Sequence, residues 1–194
     1  MPYPLGHREA VRTKIIESAR RLFNRDGFDN VSVKEIMSGA GLTHGGFYDY
    51  FSAKSDLYTE VLGCFFTDPN WKPRWEGIDV DTGARDLAQQ IIRAYLSRQH
   101  LEDIENSCPM VALPTDVRRS SKAVKGAFEA VFVAMADMLA RDMNAAPPAR
   151  QARAQAIAAL CVGGLIVARA LRSNAVAQEV RESCLSVALE LVRA

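Results

Sequence analysis

The chain has 194 residues, 48% of them hydrophobic, which suits one or two globular domains with a sizeable core and argues against disorder. A formal net charge of +1 gives no global basic excess of the kind that marks many nucleic-acid-binding chains. The charge is nevertheless uneven: residues 1–25 carry six basic side chains (Arg8, Arg12, Lys14, Arg20, Arg21, Arg25) against two acidic ones (Glu9, Glu17), and the rest of the chain is net acidic.

The opening Met1-Pro2-Tyr3-Pro4-Leu5 lacks the pattern of a signal peptide. The longest apolar run, Ile157 to Ala168, falls short of the roughly 20 residues a spanning helix requires. Four dispersed cysteines, Cys64, Cys108, Cys161 and Cys184, form no CxxC pair, so reduced thiols in a cytoplasmic protein are expected, without a metal site or a disulfide scaffold. No membrane partner and no cofactor are expected.

In chain order, helical periodicity dominates. The first helix places Val11, Ile15, Ala19, Leu22 and Phe23 on one stripe and stops at Asp26-Gly27. Ser32-Val33-Lys34-Glu35 reads as a capping box that starts a short second helix. That helix ends at Ala40-Gly41, where glycine suits a positive φ, and Thr43 is expected to cap a third helix over about 44–50. Ser52 is expected to cap a fourth, from about 53 to 66.

Residues 67–81 hold two prolines, two tryptophans and a glycine, the most linker-like stretch of the chain. Further helices are expected at about 82–99, 108–119, 121–143, 149–173 and 176–193. Pro147-Pro148 marks the break before the penultimate one. The fold class expected is all-α: an N-terminal three-helix helix-turn-helix domain, residues 1–52, joined to a larger helical bundle, residues 53–194.

The sharpest signal spans Ile36 to Phe51, two short helices joined by a glycine turn, with Ile36, Ala40, Leu42, Phe47 and Phe51 spaced to close a small core. The exposed side of the second helix would present Thr43, His44, Gly45, Gly46 and Tyr48. Two adjacent glycines cost a helix about 1 kcal/mol each relative to alanine, a local violation that tends to mark function. A backbone bare at 45 and 46 can approach base edges. His44 can hydrogen-bond a purine edge, and Thr43 can meet a phosphate or a thymine methyl. Tyr48, Tyr50 and Lys54 suit phosphate contacts, which position without reading sequence. Ser32 and Lys34, at the start of the preceding helix, complete the candidate DNA-binding set.

The run Gly41-Leu42-Thr43-His44-Gly45-Gly46-Phe47-Tyr48-Asp49-Tyr50-Phe51-Ser52-Ala53-Lys54-Ser55-Asp56-Leu57 resembles the recognition region of the Tet repressor family of transcriptional regulators. Ala19, Leu22, Phe23, Gly27, Phe28, Ser32, Val33, Ile36 and Ala40 also fit that pattern. Tyr50 departs from it, standing where members usually carry histidine. The resemblance covers about residues 10–60. It implies a repressor that leaves a palindromic double-stranded operator when a small molecule binds the C-terminal domain. It also implies that Arg8, Arg12 and Lys14 lie near flanking phosphates. With no HExxH, Gly-rich phosphate loop or GxSxG, and with His7, His44 and His100 scattered, no enzyme is expected.

A homodimer is expected through the last two helices, along Leu160, Gly163, Gly164, Val167 and Leu171 and along Val180, Cys184, Val187 and Leu191. The unidentified effector is expected among Phe65, Phe66, Trp75, Tyr95, Met110, Phe128 and Phe132. An alternative is a redox- or electrophile-sensing regulator acting through Cys108, whose place at a helix start would favour the thiolate.

Overall fold

In the computed structural model the described residues are 5–67, 80–141 and 143–193, with backbone only at residue 5 and at 64–67. They form α1 (Leu5–Asp26), α2 (Val33–Gly39), a 3₁₀ segment (His44–Asp49), α3 (Lys54–Thr67), α4 (Leu87–Tyr95) and α5 (Arg98–Glu102). Then come α6 (Pro109–Ala112), α7 (Pro114–Arg119), α8 (Lys122–Ala140), α9 (Pro147–Ala170) and α10 (Asn174–Arg193). No strand occurs among the described residues.

Two expected helices are broken. The one expected at 82–99 starts only at Leu87 and ends at Tyr95, and Ser97 caps a separate short α5 by accepting from the His100 N–H at 3.0 Å. The one expected at 108–119 is interrupted at Leu113, because Pro114 has no N–H to continue a helix and instead opens α7.

The chain forms two compact units, residues 1–65 with 104–128 and residues 66–103 with 129–194. In the first, α1, α2, the 3₁₀ segment and α3 share one core of Ile15, Phe23, Ile36, Met37, Phe47, Leu57, Tyr58 and Leu62, to which Leu113, Val117 and Val124 also belong. Phe23, Phe28 and Tyr58 interlock, with centroid separations of 4.5 to 5.6 Å. Polar contacts tie the later segment down as well. Asn24 Nδ2 donates to the Ser107 carbonyl at 2.8 Å, Arg20 Nη1 to the Glu105 carbonyl at 3.0 Å, and the Phe28 N–H to Asp116 Oδ2 at 2.9 Å.

In the second unit α9 lies against α10. By length and composition α9 is apolar enough to cross a membrane, yet Ala154, Ile157, Ala158, Cys161, Gly164, Leu165 and Ala168 form a buried stripe along it, as in a core helix. Arg181, nearly buried on α10, donates to the Leu96 carbonyl at 2.8 Å. At Gly164 an added Cβ would lie 2.7 Å from Cys184 Sγ and 3.0 Å from its Cβ, so glycine here sets how closely the two helices approach.

Gly164→Ala should therefore lower the unfolding free energy by about 1–3 kcal/mol. Cys184→Ala in the same chain should recover part of that loss, the two changes being coupled by direct contact; urea denaturation of both single variants and the double variant measures the coupling.

His100 is buried, with Nδ1 donating to the Tyr95 carbonyl at 2.6 Å, and burial pulls its pKa down to about 3 from 6.5. The unfolded chain thus binds this proton first. The stability held above about pH 6.5 should be lost on acidification toward the folded pKa, at about 1 kcal/mol per pH unit from this group. Urea titrations from neutral pH to about pH 4 should show a shallower pH slope in His100→Gln than in the wild type; equal slopes would count against it.

Candidate nucleic-acid interface

The site is built from local signals that the backbone honours closely. Ser32 caps α2: its Oγ accepts the Glu35 N–H at 3.2 Å while Glu35 Oε2 accepts the Ser32 N–H at 2.8 Å. The donors from Ser32 hold the Glu35 carboxyl below its usual pKa. At the other end of α2, Gly41 has φ +72°, its N–H reaches the Ser38 carbonyl at 3.0 Å, and the Leu42 N–H reaches the Met37 carbonyl at 2.8 Å. This pair of bonds is a Schellman closure, and it turns the chain into the next element.

That element is a 3₁₀ helix over His44–Asp49, not the α-helix expected at 44–50. Thr43 sits at its cap position but makes no side-chain capping bond, contrary to expectation. The closing bonds are Gly46 N–H to Thr43 at 3.2 Å and Tyr50 N–H to Phe47 at 3.0 Å. Two adjacent glycines lower the helix propensity of the segment, which removes much of the preference for the α-turn. Phe47 alone is buried within it, stacked at 5.7 Å on Phe51.

Around that anchor, Thr43, His44, Gly45 and Tyr48 are exposed and Gly46 half-buried. Tyr48 is 64% exposed, its ring edge-on to His44 at 6.5 Å. A Cβ at Gly45 would meet nothing within 4 Å, and at Gly46 only Met37 Cε at 3.8 Å and Thr43 Oγ1 at 3.9 Å, which are ordinary contacts. Internal packing therefore does not call for either glycine. The bareness faces outward.

Other expected site residues divide. Lys34 is exposed. Ser32 is engaged in its capping box. Lys54 points inward: Nζ donates to the Phe28 and Val31 carbonyls at 2.7 and 2.8 Å and lies 4.2 Å from the Phe28 ring, with burial lowering its pKa. Two of its three N–H donors thus hold the turn into α2. Tyr50 is half-buried under Arg8, whose guanidinium lies 5.9 Å from the ring and donates to the Asp49 carbonyl at 2.9 Å.

Arg12 forms a two-pronged ion pair with Glu60 of α3 and lies 4.7 Å over the Phe51 ring. Glu60 and Asp116 were not anticipated from sequence. Each meets its partner from 48 or 88 residues away, and no local pattern announces such a pairing. Within the first unit, the head, a cleft of about 440 Å³ is lined by Lys14, Glu17, Arg21, Arg25, Glu35, Gly39 and Glu105 among others.

The remaining candidates are more scattered. Phe65, Phe66 and Trp75 lie outside the residues whose side chains are described. Met110, buried, and Phe128, half-buried, belong to the first unit; Tyr95, buried, and Phe132, half-buried, belong to the second. Cys108 is fully buried ahead of the four-residue α6, which withholds the exposure that oxidant sensing requires. No group of three His, Cys, Asp or Glu residues placed to hold a metal occurs among the described residues. Along α9 and α10, Gly164 faces inward. Val167 and Val187 are 49% and 45% exposed, and Leu160, Gly163, Leu171, Val180, Cys184 and Leu191 are half-buried.

Comparison with known proteins places this geometry in context. Residues 15–61 match the family profile described as bacterial regulatory proteins, tetR family. The chain is 40% identical over 53 residues to the HTH-type transcriptional regulator AcrR of Shigella flexneri, covering 27% of this chain and 25% of that protein. It is 29% identical over 56 residues to the uncharacterized HTH-type transcriptional regulator YfiR of Bacillus subtilis, covering 29% and 27%. These matches span about a quarter of the relatives' length.

The whole fold resembles reduced E. coli NemR (TM-score 0.67, 18% identity, 93% of this chain and 96% of that one). It also resembles a TetR-family transcriptional regulator from Agrobacterium tumefaciens (TM-score 0.69, 17% identity, 97% and 100%). Over residues 15–61 the chain thus carries a region similar to that of bacterial regulatory proteins of the tetR family, within a fold shared with solved regulators of that family.

Proposed function

We propose that the protein is a cytoplasmic DNA-binding transcriptional regulator, and most simply a repressor, that reads a palindromic operator as a homodimer and is released when a small molecule binds its C-terminal part. The division of labour is the one expected from sequence: residues 1–52 hold the DNA and residues 53–194 bind the effector and pair the subunits. One observation carries the reading. The Gly45-Gly46 surface is bare for no reason internal to the fold, and it lies between exposed His44 and Tyr48 on a segment anchored by buried Phe47.

A base pair fits against such a surface, with His44 and Thr43 as base-edge contacts and Tyr48 and Lys34 as phosphate contacts. Lys54 acts from behind, by fixing the turn that leads into α2. Pairing through α9 and α10 is supported by their exposed aliphatic residues Ile166, Val167, Val176 and Val187, which a second copy would cover. Two-fold pairing matches half-sites about 34–36 Å apart.

Selection of bound duplexes from a random pool should yield a palindrome. Gly45→Ala and Gly46→Ala should keep or raise the melting temperature, since alanine stabilises such positions by up to about 1 kcal/mol, yet weaken binding to the selected duplex at least tenfold. His44→Ala should change the preferred bases. Undiminished binding by a folded Gly45→Ala variant would remove the recognition surface from this segment.

Val167→Asp with Val187→Asp should convert a dimer to a monomer in sedimentation equilibrium while helical circular dichroism persists. A variant that remains dimeric would place the interface elsewhere.

A further inference from the structure

Arg8 and Arg12 stand one turn apart on α1, both along the C-terminal edge of the 3₁₀ segment, yet their charges are handled differently. Arg8 donates to a neutral acceptor, the Asp49 carbonyl, at 2.9 Å. Arg12 presents its fork to both carboxylate oxygens of Glu60 while its guanidinium lies over Phe51. The pair is only part-buried, with side-chain exposures of 39% for Arg12 and 23% for Glu60. Solvent reaches it, and so could a phosphate.

We propose that Glu60 is an internal stand-in for a DNA phosphate that holds Arg12 in reserve and so limits the protein's sequence-independent affinity for duplex DNA. This inference rests on the DNA-binding reading above and deepens it. The chemistry is direct: a guanidinium fork fits carboxylate and phosphate in the same bidentate manner, so Glu60 competes with the backbone for the same donors. The contact also explains why a +4 N-terminal segment need not bind every duplex tightly. Arg12, part of that excess, is neutralised by a carboxylate from α3 that no local charge count reveals. Because phosphate contacts carry no sequence information, releasing Arg12 should tighten selected and scrambled duplexes about equally.

The test is Glu60→Gln, which keeps size and hydrogen bonding but removes the charge, compared with the wild type by fluorescence anisotropy on a selected duplex and on a scrambled one across a salt series. Each freed arginine should steepen the slope of log affinity against log salt by about 0.9. For a dimer, affinity should then fall about tenfold further than in the wild type between roughly 50 and 200 mM salt. Adding Arg12→Gln to Glu60→Gln should return the slope to the wild-type value.

If the amide variant does not fold, Glu60→Asp, which shortens the reach, should show a smaller steepening. A folded Glu60 variant with wild-type slope and affinity overturns the proposal and leaves the DNA-binding reading intact, marking the pair as a structural strut. A wild-type protein that binds neither duplex at any salt overturns both.

Discussion

The burial of Phe47 is the constraint on which the candidate interface depends. A six-residue 3₁₀ segment containing two glycines has little shape of its own, since its hydrogen bonds are few and its backbone entropy cost is high. Phe47, with no exposed surface, fixes it in the core shared by α1, α2 and α3 and stacks on Phe51, which lies just before α3. The outer residues can then be chosen for contact rather than for stability. That freedom is why a glycine pair can persist at the surface, and it ties the bare surface to core packing through one side chain.

The same unit shows how a chain of nearly zero net charge can still organise cations around a site. Of the six basic residues in the first 25, Arg12 is matched by Glu60, Arg20 by Glu17 and Arg25 by Asp26 and Glu105. Lys54 is turned onto backbone carbonyls. The exposed pairs among these contribute little stability each, but together the pairings decide which charges face outward. The electrostatic footprint of the head is therefore smaller than the sequence count implies, and it is set by pairing.

Residues 104–128 extend the head beyond its three helices. Leu113, Val117 and Val124 enter its core, Asn24 and Arg20 hold the loop before α6, and Asp116 accepts the Phe28 N–H. The turn between α1 and α2 is thus gripped from two directions, by Asp116 at the Phe28 amide and by Lys54 at the Phe28 and Val31 carbonyls. Both contacts act on the turn that leads into α2 and the 3₁₀ segment after it.

Much of this was legible in the sequence wherever the physics is local. Helical periodicity gave the all-α class; the Ser32/Glu35 box and Gly41 marked the ends of α2; Ile36, Phe47 and Phe51 marked the small core; and Gly45-Gly46 marked the bare surface. Each depends on residues within a few positions of one another. The 3₁₀ pitch at 44–49 and the breaks at 96 and 113 were missed because short segments balance competing backbone geometries that periodicity does not separate. By itself the sequence determined the longer helices, both ends of α2 and the bare surface at Gly45-Gly46, because those follow from backbone conformation and side-chain spacing. Only the tertiary structure decided that Lys54 turns inward, that Arg12 meets Glu60 and that residues 104–128 complete the head, because those pairings join groups tens of residues apart, and only the folded chain brings them within hydrogen-bonding range.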